Sequence, residues 1–204
     1  MFPIHHRIDK IRPELQARVG NLLDEVSIDY QLGQHGCSKF RLTVGAASVV
    51  VGRFGYCTDA LGDLVRAALM IATSGWRAEA SFDGEPVEWR LIAGSYWDPT
   101  RQDWTDFRLR ILQFPFVTPH KPESDGHKVF EAPCTPDSFV RAVLRAAQAV
   151  WEEYGADGYD RLWGGPCGFP LRALSALKEA MSVQEPRTSW AFPSGGSGSA
   201  QDHS

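Results

Sequence analysis

The chain has 204 residues, with 25 Asp+Glu against 21 Lys+Arg and a formal net charge of -4, a length sufficient for one domain with a substantial core. Hydrophobic residues at 43% and charged residues at 23% argue against global disorder, and the scattered Lys and Arg disfavour nucleic-acid binding, which needs a clustered cationic surface. No apolar stretch approaches the ~20 residues that span a bilayer, and the N-terminal MFPIHHRIDKIRPEL is charged where a signal peptide would be apolar, so a cytoplasmic chain without membrane contact is expected.

A first helix is expected from Pro13 to about Val26, where Leu15, Val19, Leu22 and Leu23 recur at helical spacing. The period then becomes two. Ile28, Tyr30 and Leu32 form one strand, and Phe40, Leu42 and Val44 a second, joined by GQHG as an antiparallel hairpin. Ser48 to Phe54 is a third strand. The next helix carries the stripe Leu61, Leu64, Val65, Ala68, Leu69 and Ala72, with Thr58 or Asp59 as its cap and Gly75 as a left-handed stop.

Strands resume over 77–82 and 86–93 around the turn signal Asp83-Gly84. Val87, Trp89 and Leu91 share the core face, and Glu88 and Arg90 face outward, with Glu88 expected opposite Arg108 or Arg110 on the adjoining strand. Residues 94–104 read as a loop turning at Asp98-Pro99. A strand through Phe107, Leu109 and Ile111 follows, then the loop TPHKPESDGH and a short strand over 127–131. The last third is helical: Thr135 caps, Pro136 takes the first turn, Gly155 stops the helix, and Pro170 to Met181 is another, with Leu171, Leu174, Leu177 and Met181 inward. The order predicts an α+β fold: a mainly antiparallel sheet of about six to seven strands with helices on one face. A single domain over 1–183 and a flexible tail over 184–204, EPRTSWAFPSGGSGSAQDHS, are expected.

The stretch SFDGEPVEWRLIAGSYWDPTRQDW, residues 81–104, concentrates three of the seven tryptophans and five carboxylates. Two acids held in a cleft could serve a hydrolase, but Asp83 and Asp98 sit in turn signals where they would bond local amides. Glu85 alone lacks a turn explanation. Trp89 is in phase with the core; Tyr96, Trp97 and Trp104 flank a loop that is expected to pack on its own hairpin, and they are the aromatics that would mark a binding surface if one exists.

Cys37, Cys57, Cys134 and Cys167 never form C-x-x-C, so neither a zinc clip nor a disulfide framework is expected. Cys57 lies at a strand-to-helix junction, the one cysteine placed where a helix N-terminus could lower its pKa. His120 and His127 bracket Glu123 and Asp125 in a loop expected to be solvated, and no metal is expected there. No nucleotide-binding fingerprint, G-x-S-x-G or kinase signature is present, and no cofactor is expected.

The succession CTDALGDLVRAALMIATSG, SFDGEPVEWRL, FRLRILQF and SFVRAVLRAAQAVWEEYGADGYDRLW resembles a group of uncharacterised bacterial α+β proteins, some in the style of immunity proteins of toxin systems. The likeness spans roughly residues 27–181 and is one of core pattern, with no functional residues to carry over. It implies a cytosolic, non-catalytic protein-binding module whose partner is a toxin-like protein. On the residues, Glu85, Tyr96, Trp97 and Trp104 are the candidate binding set; the alternative is a small hydrolase or other small-molecule enzyme using the acids near Glu85 and Glu88.

Overall fold

The computed structural model describes residues 25–73, 75–116 and 121–183. Most of the first expected helix, the 184–204 segment and His120 lie outside the described residues; Val26 is described and opens a strand. The strands β1 (Val26–Leu32), β2 (Ser38–Val44) and β3 (Ala47–Phe54) pair in that order as one antiparallel sheet. Helix α1 (Ala60–Thr73) leads to β4 (Arg77–Asp83) and β5 (Glu88–Gly94). Next come a two-residue ribbon, β6 (Trp97–Asp98) with β7 (Asp103–Trp104), then β8 (Arg108–Phe114) and β9 (His127–Pro133). The second antiparallel sheet has the order β4-β5-β8-β9, and helices α2 (Pro136–Trp163) and α3 (Leu171–Val183) follow. The fold is α+β with antiparallel sheets and helices packed against them, and its seven longer strands divide three and four.

Alternation sets the first sheet. Val26, Ile28, Tyr30 and Leu32 are buried while Ser27, Asp29 and Gln31 are exposed, and Tyr30 stands opposite Phe40. A slip of one residue would turn that whole apolar row to solvent, so the register is strongly specified. Phe40, Phe54 and Phe82 join the two sheets, with ring centroids 5.1 Å (Phe40–Phe82) and 5.0 Å (Phe54–Phe82) apart. Leu61, Leu64, Val65, Ala68 and Ile71 of α1 are buried in the same core, where α1 packs on β4, α2 and α3 and α2 packs on β1. Each such fully buried leucine contributes about 1.5–3 kcal/mol.

Several local details differ from the sequence expectations. Neither Thr58 nor Asp59 caps α1 with its side chain: the Asp59 carbonyl accepts from Asp63 N, and its carboxylate folds over the first turn to Arg66 at 2.7 Å. The charged guanidinium outcompetes the backbone amides for that oxygen. Gly62 makes room for it, since a Cβ there would lie 2.1 Å from Asp59 Oδ2. Gly75 closes the other end by donating to Met70 O at 2.7 Å, without itself taking a positive φ. Thr135 and Pro136 start α2 as expected, with Thr135 Oγ1 accepting from Ser138 N. Gly155 (φ 63, ψ -174) breaks the helical geometry but does not end the element. The chain resumes the helix, because Tyr159 and Trp163 on its far side are both fully buried and hold it to the core. In α3, Leu174 and Leu177 are buried as expected, while Leu171 in the first turn is exposed.

Candidate functional site

The face of the second sheet turned away from the core carries Glu88, and the candidates Glu85, Tyr96, Trp97 and Trp104 lie beyond the ends of β5. The residues of this face include Glu88, Arg90 and Ile92 of β5 with Arg108, Arg110, Leu112 and Phe114 of β8. The assignment of Glu88 and Arg90 to this face holds, but the face is not solvent. Glu88 is 4% exposed, and its carboxylate accepts from Arg90 at 2.7 and 3.0 Å and from Ser81 at 3.2 Å. Its cross-strand neighbour on β8 is Phe114, not Arg108 or Arg110. Ile92, Leu112 and Phe114 form a second small apolar cluster there, and the Arg90 guanidinium lies 4.5 Å over the Phe114 ring.

The chain after β8 covers this face. Lys121 O accepts from Arg90 at 2.8 Å, and Glu123 binds Arg110 at 2.6 Å and Arg77 at 2.5 Å. Gly126 lies against Phe114, where a Cβ would come within 2.7 Å of the ring. Burial raises the Glu123 pKa, but the two arginines outweigh it and hold the carboxyl below its usual value. Alternation alone cannot reveal such cover, because a strand period says which residues share a face and not what lies on it. In the loop expected to be solvated, Ser124, Asp125 and His127 are exposed, while Glu123 is committed to two cations.

At the β5 end of this sheet, residues 94–104 form a stapled ribbon where a loop is expected. Thr105 N donates to Tyr96 O at 2.9 Å, and Tyr96 N donates to Thr105 Oγ1 at 3.1 Å. Asp98 Oδ1 accepts from Thr100 N at 2.9 Å, the turn role its sequence implies. Trp97 and Trp104 are a cross-strand pair with centroids 6.2 Å apart, and Trp76 meets Trp104 edge-on at 5.7 Å. Exposure is 55% for Trp76, 50% for Trp97 and 41% for Trp104. Gly94 (φ 151) allows this assembly, since a Cβ there would sit 2.6 Å from Trp76 O. Met70, also exposed, lies in the last turn of α1, the helix that precedes Trp76. Trp76 has no alternating context in the sequence, which is why it escapes a sequence reading.

Tyr96 does not join that surface. Its hydroxyl donates to Glu131 at 2.9 Å and its ring lies 4.5 Å under the Arg110 guanidinium, so it anchors the ribbon to the sheet. Burial and the hydrogen bond to Glu131 both push its pKa up. Glu131 also pairs with Lys128, and its Oε1 lies 2.9 Å from Arg108 Nε, off the axis of a hydrogen bond.

Glu85 lies at the opposite end, in the β4–β5 turn, where the Glu85-Pro86 bond is cis and Glu85 has φ 28. Asp83 Oδ1 accepts from Glu85 N at 3.0 Å, again the expected turn role. The Cys57 thiol donates to Glu85 Oε1 at 3.4 Å, and the donor atoms of Cys57, Asp83 and Glu85 all lie within 4.8 Å of one another. The hydrogen bond to Glu85, with the two nearby carboxylate charges, pushes the Cys57 thiol up. This corrects the expectation of a lowered pKa: the adjacent anions outweigh any effect of the helix N-terminus. The seven residues of β5 span roughly 23 Å, so Glu85 and the tryptophans occupy separate sites at the two ends of one sheet.

Among the described residues, no helix is long and apolar enough to cross a membrane. No family model, no curated protein and no solved structure matches the chain.

Proposed function

We propose that the protein is a cytosolic, non-catalytic protein-binding module of the immunity type, engaging its partner through Trp76, Trp97 and Trp104. The observation that carries this reading is the three-tryptophan cluster, edge-to-face and 41–55% exposed, in which Trp97 and Trp104 sit on a stapled ribbon and Trp76 packs against Trp104. Large aromatics held rigidly at a surface lose little entropy on binding and are the side chains that dominate interface energetics. Asp98, Asp103 and Asp106 lie in or beside the ribbon, whose one cation is Arg101, while Arg77 and Arg108 nearby are paired with Glu123 and Glu131, so the complementary partner surface is apolar with a basic rim. The toxin-like identity of that partner rests on the resemblance in core pattern.

The alternative, a hydrolase using Glu85 and Glu88, draws less support. Glu88 is held by Arg90 and Ser81 beneath the covering segment, whereas the Glu85 carboxylate is turned to Cys57. Affinity capture from the source cell tests the leading reading. A partner retained by the wild-type chain should be lost with Trp97→Ala/Trp104→Ala and kept with Glu85→Gln. Capture that survives the double tryptophan change would overturn it.

A further inference from the structure

We propose that Cys57, Asp83 and Glu85 form a binding site for a divalent cation of the zinc class. The residues come from two segments, the β3–α1 junction and the β4–β5 turn, that meet where Gly55 N donates to Asp83 O at 2.6 Å. Their donor atoms converge within 4.8 Å, and Cys57 Sγ and Glu85 Oε1 are already 3.4 Å apart. Bonds of about 2.3 Å to sulfur and 2.0–2.2 Å to oxygen place tetrahedral ligand atoms roughly 3.5 Å from one another. Closure therefore needs shifts of about an ångström, within reach of the exposed Cys57 and Glu85 side chains.

Asp83 supplies an independent reason. Four charged residues of the described chain are buried: Asp83, Glu88, Arg90 and Arg110. Glu88 and Arg90 pair with each other, and Arg110 pairs with Glu123. Asp83, 7% exposed, has no cationic side chain within ion-pair distance among the described residues; its only hydrogen-bond donor from the protein backbone is Glu85 N. Buried charges are ordinarily paired or coordinate a metal, and a cation between Asp83, Glu85 and Cys57 would supply the missing charge. A thiolate beside two carboxylates suits Zn²⁺, whereas Mg²⁺ and Ca²⁺ favour all-oxygen sets. On binding, the Cys57 S–H bond breaks, its proton passes to solvent, and the S–metal bond forms. The two carboxylates bind as anions, and a fourth position stays open to water. The sequence spacing hides the set, since Cys57 is 28 residues from Glu85.

Titration of the full chain with Cd²⁺, as a spectroscopic substitute for Zn²⁺, tests the proposal. The wild type should develop a thiolate-to-metal charge-transfer absorption that saturates at one equivalent, and Zn²⁺ should compete it away. A variant with Cys37→Ser and Cys167→Ser should keep the band, and Cys57→Ser should lose it. Glu85→Gln, a change at an exposed turn residue, should weaken binding by at least the roughly 10- to 100-fold that losing an outer-shell partner costs. A band that persists in Cys57→Ser, an affinity unchanged by Glu85→Gln, or no band in the wild type would each overturn it.

Discussion

Arg90 shows how much one residue can decide. Its guanidinium binds the Glu88 carboxylate, reaches Lys121 O, and lies over Phe114, with the Arg90 and Glu88 side chains both under a tenth exposed. Removing one partner of a buried pair strands the other charge, so Arg90→Met should destabilise the protein by about 3–5 kcal/mol. Replacing both with apolar residues, as Glu88→Leu with Arg90→Met, should cost less than the single change. Guanidinium unfolding of the three proteins decides this; a double variant that loses as much as the single one would contradict it. Tyr159 offers the opposite case. Its ring is fully buried beside Trp163, burial pushes its hydroxyl pKa far up, and its Oη has no hydrogen-bond partner. Ser38 lies beside the equally buried Tyr30 hydroxyl and partly offsets the rise in its pKa, but falls short of hydrogen-bond geometry. An unsatisfied buried hydroxyl costs about 1–3 kcal/mol, so Tyr159→Phe should leave stability unchanged or raise it by up to that amount. A clear loss in the same unfolding experiment would mean that the hydroxyl is bonded in solution.

Among the elements, Gly155 carries the sharpest consequence. Its φ of 63 and ψ of -174 fall in a region that is essentially reserved for glycine, and nothing lies within 4 Å of a Cβ placed there. Space is therefore not limiting and backbone strain alone sets the cost. Gly155→Ala should destabilise by about 1–3 kcal/mol, seen as a lower thermal midpoint with little change in helical content; an unchanged midpoint would show that the break relaxes freely. This helix also marks the limit of what the sequence discloses. Its start was legible, because Thr135-Pro136 is a local signal and local signals act through the nearest few residues. Its continuation past Gly155 was not, because Tyr159 and Trp163 hold the far segment by contacts distant in sequence. The strands behave likewise. Periodicity placed Trp89 and Leu91 on one face and Glu88 and Arg90 on the other, but the segment covering the second face comes from beyond β8. Of the candidate site, Trp97 and Trp104 were legible from their loop context, whereas Trp76 joins them only through folding and Tyr96 proves to be an anchor.

Across the whole molecule, the second sheet is held on its outer face by charge and is open at both ends, and both facts have measurable consequences. Burial raises the pKa of Glu131, but Lys128, Tyr96 and Arg108 outweigh it, and Arg110 with Arg77 does the same for Glu123, so both folded values are lowered. A depressed carboxylate contributes stability that is fully present above the unfolded pKa, about 4.3 for Glu, and lost as pH falls through the folded value. The urea midpoint should hold steady above about pH 5 and fall below it, and Glu123→Gln should flatten that fall while lowering stability at pH 7; a variant that keeps the wild-type acid slope would refute the assignment. The two ends pose a different question. The tryptophan ribbon and the Cys57–Asp83–Glu85 cluster are separated by the length of β5, a central strand hydrogen-bonded on both sides by β4 and β8. Coupling between distant sites needs an element with two arrangements that both sites bias, and a strand paired on both edges in continuous register has no second arrangement of comparable energy. Changes at the two ends should therefore be additive within about 0.5 kcal/mol. Trp97→Ala/Trp104→Ala should leave the Cd²⁺ titration unaltered, and Zn²⁺ should leave partner capture unaltered. A metal affinity that shifts with the tryptophans would show instead that the ribbon and the β4–β5 turn move as one unit.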